Sequence, residues 1–301
     1  MAASVLRTFL FTPGNHARRV EKALTLGADA VILDLEDAVA VGEKAQTRKV
    51  VVEALSQPRK RKAYIRVNAI GTPWCLGDLM EVIQPGLDGI VLPKVESAAD
   101  LRTIDWLITN LERERGLPPG AIDLMPIIET AAGFSRLDRI FGARSLKDYS
   151  GPWRVKRMAF GAADFTSDVG MTWTAEEDEL AELRIRLVVA SRAAGIEPPI
   201  DTVWVRLDDP AGLRASVERS LRLGFQGRMC IHPDQVEVVN QIFTPSPEQV
   251  GRAQKIVDAF KQAEASGLAA IQVDGAFVDY PVFYRAERVL ATLAAIRAKG
   301  A

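Results

Sequence analysis

The sequence predicts an α/β chain folded as a TIM (β/α)8 barrel, and three observations carry that prediction. Eight short apolar runs recur along the chain, each followed by a longer segment with helix punctuation. The runs are continuously apolar rather than alternating, as in parallel strands covered on both faces. No GxGxxG follows the first strand, which argues against an open dinucleotide-binding sheet, and eight units is the number that closes a barrel.

The strand runs are RTFLF (7–11), DAVILDL (29–35), AYIRV (63–67), DGIVLP (88–93), IDLMPII (122–128), RMAFGA (157–162), IDTVWV (200–205) and GRMCI (227–231). Between them, Ser97 and Asp100 form a capping-box pattern before a periodic run ending near Gly116. TAEE at 174–177 repeats the pattern before a helix that stops at Gly195. After the eighth unit, Ser246 as N-cap and Pro247 at the first helical position open a helix. Asp274-Gly275 between apolar runs predicts a two-residue hairpin, and a terminal helix follows Pro281. The expected organisation is a barrel domain over 1–243 and a C-terminal hairpin–helix extension over 244–301.

Composition narrows the function classes. Thirty-eight Lys and Arg against 39 Asp and Glu give a formal net charge of -1, so no electrostatic footprint for nucleic acid exists. The densest basic stretch, PRKRK at 58–62, reads as a solvated loop. The two cysteines, Cys75 and Cys230, are too few for a disulfide framework, and no apolar run approaches the ~18 residues of a membrane span. A cytoplasmic protein with no membrane partner is expected.

In such a barrel the chemistry sits at the C-terminal ends of the strands. Asp34, Glu36 and Asp37 follow the second strand, Arg66 and Asn68 the third, and Lys94 the fourth. Glu129 follows the fifth, Asp164 the sixth and His232 the eighth. Glu129 and Asp164, on neighbouring units, suit a hard divalent cation, with Mg2+ the natural occupant; each could instead cap the helix that follows it. Arg66 balances the acidic cluster, donates to an oxygen that gains charge during a reaction, or does both. Lys94 is either an imine-forming nucleophile or a partner of Glu96 or the acidic cluster. His232, before a proline, reads as structural rather than as a base.

TPGNHARRVEKA, DAVILDLEDAV, YIRVN, IVLPKVES, PIIETAAG, FGAADFTSDVG and GFQGRMCIHPDQ, taken in order, resemble the HpcH/HpaI aldolase and citrate lyase β-subunit-like family. The resemblance implies a trimeric or hexameric TIM barrel that cleaves a carbon–carbon bond in a 3-hydroxyacyl thioester with Mg2+. It implies Glu129 and Asp164 as metal ligands, with Glu129 also at the substrate, and Arg66 as a catalytic residue on substrate oxygens. It implies Phe11, Arg18 and Lys22 as contacts to a CoA moiety. The extension resembles a lid whose Asp279 acts in a neighbouring subunit's site, although the residue by itself reads as the N-cap of the terminal helix. Two departures stand out. Ala163 replaces a carboxylate frequent in the family, and 143–156 is a Pro- and Gly-bearing excursion. The implied activity is cleavage of malyl-CoA or citramalyl-CoA to acetyl-CoA and a 2-keto acid. The alternatives are a citrate lyase β subunit acting on citryl-acyl carrier protein, a CoA thioesterase, and a non-catalytic metabolite-binding barrel.

Overall fold

The computed structural model describes residues 5–145 and 153–298, so 146–152 of the 143–156 excursion lie outside the described residues. Eight parallel strands close a barrel in sequence order: β1 (Thr8–Pro13), β2 (Ala30–Asp34), β3 (Lys62–Arg66), β4 (Gly89–Leu92), β5 (Asp123–Ile128), β6 (Ala159–Phe160), β7 (Ile200–Asp201) and β8 (Gly227–Cys230). The helices around them are α1 (Ala17–Thr25), α2 (Lys44–Leu55), α3 (Cys75–Val82), α4 (Ala98–Glu114), α5 (Ala131–Ser135), α6 (Leu137–Phe141), α7 (Ala162–Asp168), α8 (Ala181–Ala193), α9 (Pro210–Leu223) and α10 (Pro233–Phe243). The fold expected from the sequence is the fold observed. Strands six and seven are shorter than their apolar runs, because the chain turns into α7 at Ala162 and into an irregular segment after Asp201.

One buried cluster draws on all eight strands and fills the barrel. Phe9, Ala30, Ile32, Tyr64, Val91, Met125, Ile127, Ala159, Ile200 and Met229 meet there. At the strands' N-terminal ends the interior is tied off by polar contacts. Tyr64 donates to Asp123 at 2.8 Å, Arg157 donates to Tyr64 at 3.1 Å, and Arg157 pairs with Glu197 at 2.7 Å. Continuing the two-residue alternation through Ile32, Tyr64 and Ile127 toward the other end reaches Asp34, Arg66 and Glu129. Strand pleat therefore delivers three charged groups to one mouth.

The caps show how local signals are executed. Ser97 and Asp100 form the reciprocal box at the start of α4. TAEE does not. Thr174 donates its N–H and its hydroxyl to the Glu179 carboxylate, at 2.7 and 2.8 Å, and accepts the Glu177 N–H at 3.2 Å, while the Glu177 side chain, at φ 55°, turns inward to meet Arg184 at 3.0 Å instead of closing the box. Arg184 and Arg228, both fully buried, need that carboxylate together with Asp201, and the ion cluster outweighs the local cap. PRKRK is anchored rather than simply solvated: Arg59 and Lys62 pair with Asp88, and Arg61 donates to the Leu26 carbonyl.

A second compact unit begins at Gln241, after the barrel unit Leu6–Asn240. It holds α11 (Pro247–Ala265), β9 (Ala270–Val273), β10 (Ala276–Asp279) and α12 (Tyr280–Arg297). Ser246 caps α11 with a full capping box. Asp274 and Gly275 make the hairpin turn with φ of 49° and 78°, values at which glycine carries no Cβ penalty. Phe260, Val273, Val278 and Phe283 form this unit's own core.

Candidate active site

Arg66 organises the mouth of the barrel. Its Nε and Nη2 donate to the two oxygens of Asp34 at 2.7 and 2.6 Å, and Nη1 lies 2.9 Å from Glu36 Oε2. The guanidinium sits 4.9 Å from the ring centroid of Phe11, so its flat face is covered as well. Burial opposes the charge on Asp34, but the adjacent Arg66 and the amides of Glu36 and Ala38 hold its carboxyl below the usual range. Burial also opposes the charge on Arg66, and Asp34, Glu36 and Glu129 more than restore it. The balancing role expected for Arg66 is present in full.

Glu36 is held from behind by groups that sequence reasoning passed over. Lys44 is buried, and its ammonium donates to the carbonyls of Leu35 and Glu36 and to Asn68 Oδ1, at 3.1, 2.8 and 2.7 Å. Asn68 in turn donates to Asp78 at 2.7 Å, and Arg48 closes the chain on Asp78 at 2.8 Å. A lysine on the first turn of an amphipathic helix gives no sequence sign of such a role. Only the approach of α2 to the strand ends reveals it.

Glu129 follows β5 directly and is 2% exposed. Its Oε1 accepts the main-chain N–H of Lys94 at 2.8 Å. Its Oε2 lies against Gly161, where an added Cβ would overlap it, so the glycine makes room for the carboxylate. Asp164 stands not at the end of the sixth strand but in the first turn of α7. The helix-capping alternative fails for both acids. Thr130 caps α5 through Gly133 N–H, and no side chain caps α7. Asp168, one turn beyond Asp164, accepts from the Ala131 N–H at 2.7 Å and ties α7 to the start of α5.

Lys94 joins the two acids to the rest of the cluster. Its ammonium donates to Glu36 at 2.7 Å and lies 3.4 Å from Asp164 and 3.5 Å from Asp37. It pairs with the acidic cluster and is not isolated in the apolar setting that activates an imine-forming amine. His232 is an exposed residue whose Nδ1 accepts the Asp234 N–H at 3.3 Å at the start of α10, a local structural bond. Arg18 and Lys22 are exposed one turn apart on α1. Asp279 belongs to the second unit, where its carboxylate accepts the Val282 N–H at 3.3 Å and caps α12.

The charge at the mouth is lopsided. Four carboxylates (Asp34, Glu36, Asp37 and Asp164) pair with the cations Arg66 and Lys94, and a fifth, Glu129, feels both at longer range. Burial, with Asp164 and Glu36 nearby, pushes the Glu129 carboxyl up to about 8. Burial raises Glu36 too, and its Oε2 has no hydrogen-bond partner despite its closeness to Arg66. Among the described residues no three His, Cys, Asp or Glu side chains converge as a ready cage. The donors present, the carboxylates of Glu129 and Asp164, suit a cation which keeps several waters and takes one or two protein carboxylates, the habit of magnesium.

A family model described as HpcH/HpaI aldolase/citrate lyase matches residues 7–233. The chain belongs to that family. It is 35% identical to the citrate lyase subunit beta of Leuconostoc mesenteroides subsp. cremoris over 94% of this chain and 92% of the relative. It is 34% identical to the L-malyl-CoA/beta-methylmalyl-CoA lyase of Cereibacter sphaeroides over 94% of this chain and 93% of the relative. Among solved structures, CitE of Mycobacterium tuberculosis in complex with magnesium, acetoacetate and coenzyme A superposes with a TM-score of 0.76 at 28% identity. That match covers 98% of this chain and all of the other. The family resemblance read from the motifs is the family found. Among the described residues no helix is long and apolar enough to cross a membrane.

Proposed function

We propose that this protein is a Mg2+-dependent carbon–carbon lyase that cleaves a 3-hydroxyacyl-CoA of the malyl-CoA or citramalyl-CoA type to acetyl-CoA and a 2-keto acid. The observation that carries the proposal is the pair Glu129 and Asp164, neither of which caps a helix, beside a part-buried Arg66 whose orientation is locked. Relatives named for citrate lyase and for malyl-CoA lyase, and a similar structure holding magnesium and coenzyme A, support the same reading.

Glu129 and Asp164 would hold the cation. The chemistry a bound Mg2+ supplies is Lewis-acid polarisation of the substrate's carboxylate and 3-hydroxyl oxygens. As the carbon–carbon bond breaks, the 3-hydroxyl gives its proton to solvent, the hydroxyl carbon becomes the carbonyl of the keto acid, and the bonding electrons pass to the thioester fragment as an enolate. Arg66, fixed by Asp34 and Glu36, stabilises the enolate oxygen where charge develops, without reorganising. Asp279, from the lid of a neighbouring copy in a homotrimer or hexamer, supplies the proton that turns the enolate into acetyl-CoA. Phe11 packs beneath Arg66, and the exposed Arg18 and Lys22 take the CoA moiety.

The relatives also support a second reading, a citrate lyase β subunit acting on citryl-acyl carrier protein. One experiment separates the two. The purified protein alone is offered malyl-CoA, citramalyl-CoA and citryl-CoA with and without Mg2+, and keto acid and free thiol are detected separately. Mg2+-dependent keto acid from malyl-CoA or citramalyl-CoA is expected. Turnover only when citryl-acyl carrier protein is supplied would move the chain to the second reading. Thiol without keto acid would identify a thioesterase.

A further inference from the structure

Lys94 has a backbone conformation that its side chain does not favour. Its φ of 52° lies in the left-handed region, which residues with a Cβ enter at a cost. The residue is held there by contacts at both ends. Its N–H donates to Glu129 Oε1 at 2.8 Å, and its Nζ donates to Glu36 Oε1 at 2.7 Å while lying 3.4 Å from Asp164 Oδ1. One residue thus grips one proposed metal ligand by its main chain and touches the other with its ammonium. Asp37, at 3.5 Å from Nζ, completes the acidic surroundings.

We infer that Lys94 is a positioning residue that serves as a tethered stand-in for the metal, neutralising the acidic mouth in the metal-free protein and competing with the divalent cation for Asp164. The inference rests on the reading that Glu129 and Asp164 bind Mg2+. Two features require it physically. Without the ammonium, the five carboxylates would face Arg66 alone, and Arg66 is already committed to Asp34 and Glu36. A cation taken up by Glu129 and Asp164 would also arrive beside the Lys94 ammonium, 3.4 Å from Asp164 Oδ1, which would repel it. The amide of Lys94 meanwhile occupies Oε1 of Glu129 and leaves Oε2 as the oxygen to be shared. The lysine therefore presets the ligand geometry and weakens the affinity, so that metal loading stays reversible.

A purely supporting lysine and a competing one predict opposite signs. If the ammonium only holds Glu36 and Asp164 in place, its removal weakens metal binding; if it competes, its removal tightens binding. Mn2+, followed by its electron paramagnetic resonance, is titrated into the wild-type chain, Lys94→Met, Lys94→Gln and Lys94→Arg in parallel at the same pH and ionic strength. The neutral variants should bind Mn2+ about tenfold more tightly or better, while Lys94→Arg, which keeps the charge, stays near wild type. The neutral variants should also lose thermal stability when metal-free and regain it with Mn2+. Unchanged or weaker affinity in both neutral variants, with the wild type still binding, would overturn the inference and leave the metal site standing. A wild type that binds no Mn2+ would instead remove the metal reading, and the inference with it.

Discussion

Acidity should switch off metal binding at a pH where ordinary carboxylates are fully ionised. Glu129 is 2% exposed, and burial with Asp164 and Glu36 beside it moves its carboxyl from 4.5 to about 8. A metal ligand must be deprotonated, so the proton and Mg2+ compete for this side chain. With a midpoint near 8, about a tenth of the molecules carry an ionised Glu129 at pH 7 and about nine tenths at pH 9. The apparent Kd for Mg2+ should therefore fall about tenfold between those two values and level off above them. In the metal-free protein the neutral carboxyl contributes stability that is complete below about 4.5 and is lost as the pH rises through about 8, because the folded chain binds that proton more tightly than the unfolded one. Magnesium reverses the loss, so the Mg2+-induced rise in Tm should grow across the same window. Isothermal titration at constant ionic strength and thermal melts with and without Mg2+ read both effects. An affinity flat from pH 7 to 9, with its fall appearing only near 4 to 5, would show that Glu129 titrates like an exposed carboxylate and would refute the reasoning.

Four substitutions probe the rest of the site. Arg66→Lys keeps a charge but loses the two-point bond to Asp34, and kcat should fall by about a hundredfold or more with the fold retained by circular dichroism; activity within twofold of wild type would remove Arg66 from catalysis. Gly161→Ala puts a methyl where Glu129 Oε2 lies, so Mg2+ affinity should drop about tenfold or more in calorimetry, with little change in the affinity for coenzyme A. Asp279→Asn preserves an N-cap donor acceptor pair and should leave Tm within about a degree or two, yet abolish turnover; Asp279→Ala should in addition cost about 1 kcal/mol of stability from the lost cap. An Asp279→Asn enzyme with normal turnover would reduce the residue to its capping role.

Much of this molecule is legible in one dimension because the signals involved are local. The Ser97 box, the Ser246 cap and the Asp274-Gly275 turn depend on residues a few positions apart and form as read, and the strand runs form too, with the sixth and seventh shortened. The placement of Arg66 and Glu129 at the mouth followed from strand ends and pleat, which are also short-range geometry. TAEE shows the limit. Its spacing matched a capping box, but Glu177 is claimed by Arg184 and Arg228, residues from other elements whose buried charges need a partner more than an exposed helix end does.

The sequence by itself determined the barrel, the set of charged residues at its C-terminal rim and the family to which the chain belongs. Tertiary structure decided what each of those charges does. Lys94 turned out to bind Glu36 and to lie beside Asp164, and neither Glu129 nor Asp164 caps a helix. Lys44 and Asp78 entered the support of the site with no sign in the sequence. The raised pKa of Glu129 likewise belongs to no motif. The reason is common to all of them: a charge's partners and its solvation depend on three-dimensional neighbours drawn from separate βα units, and the order of residues along one unit does not contain them.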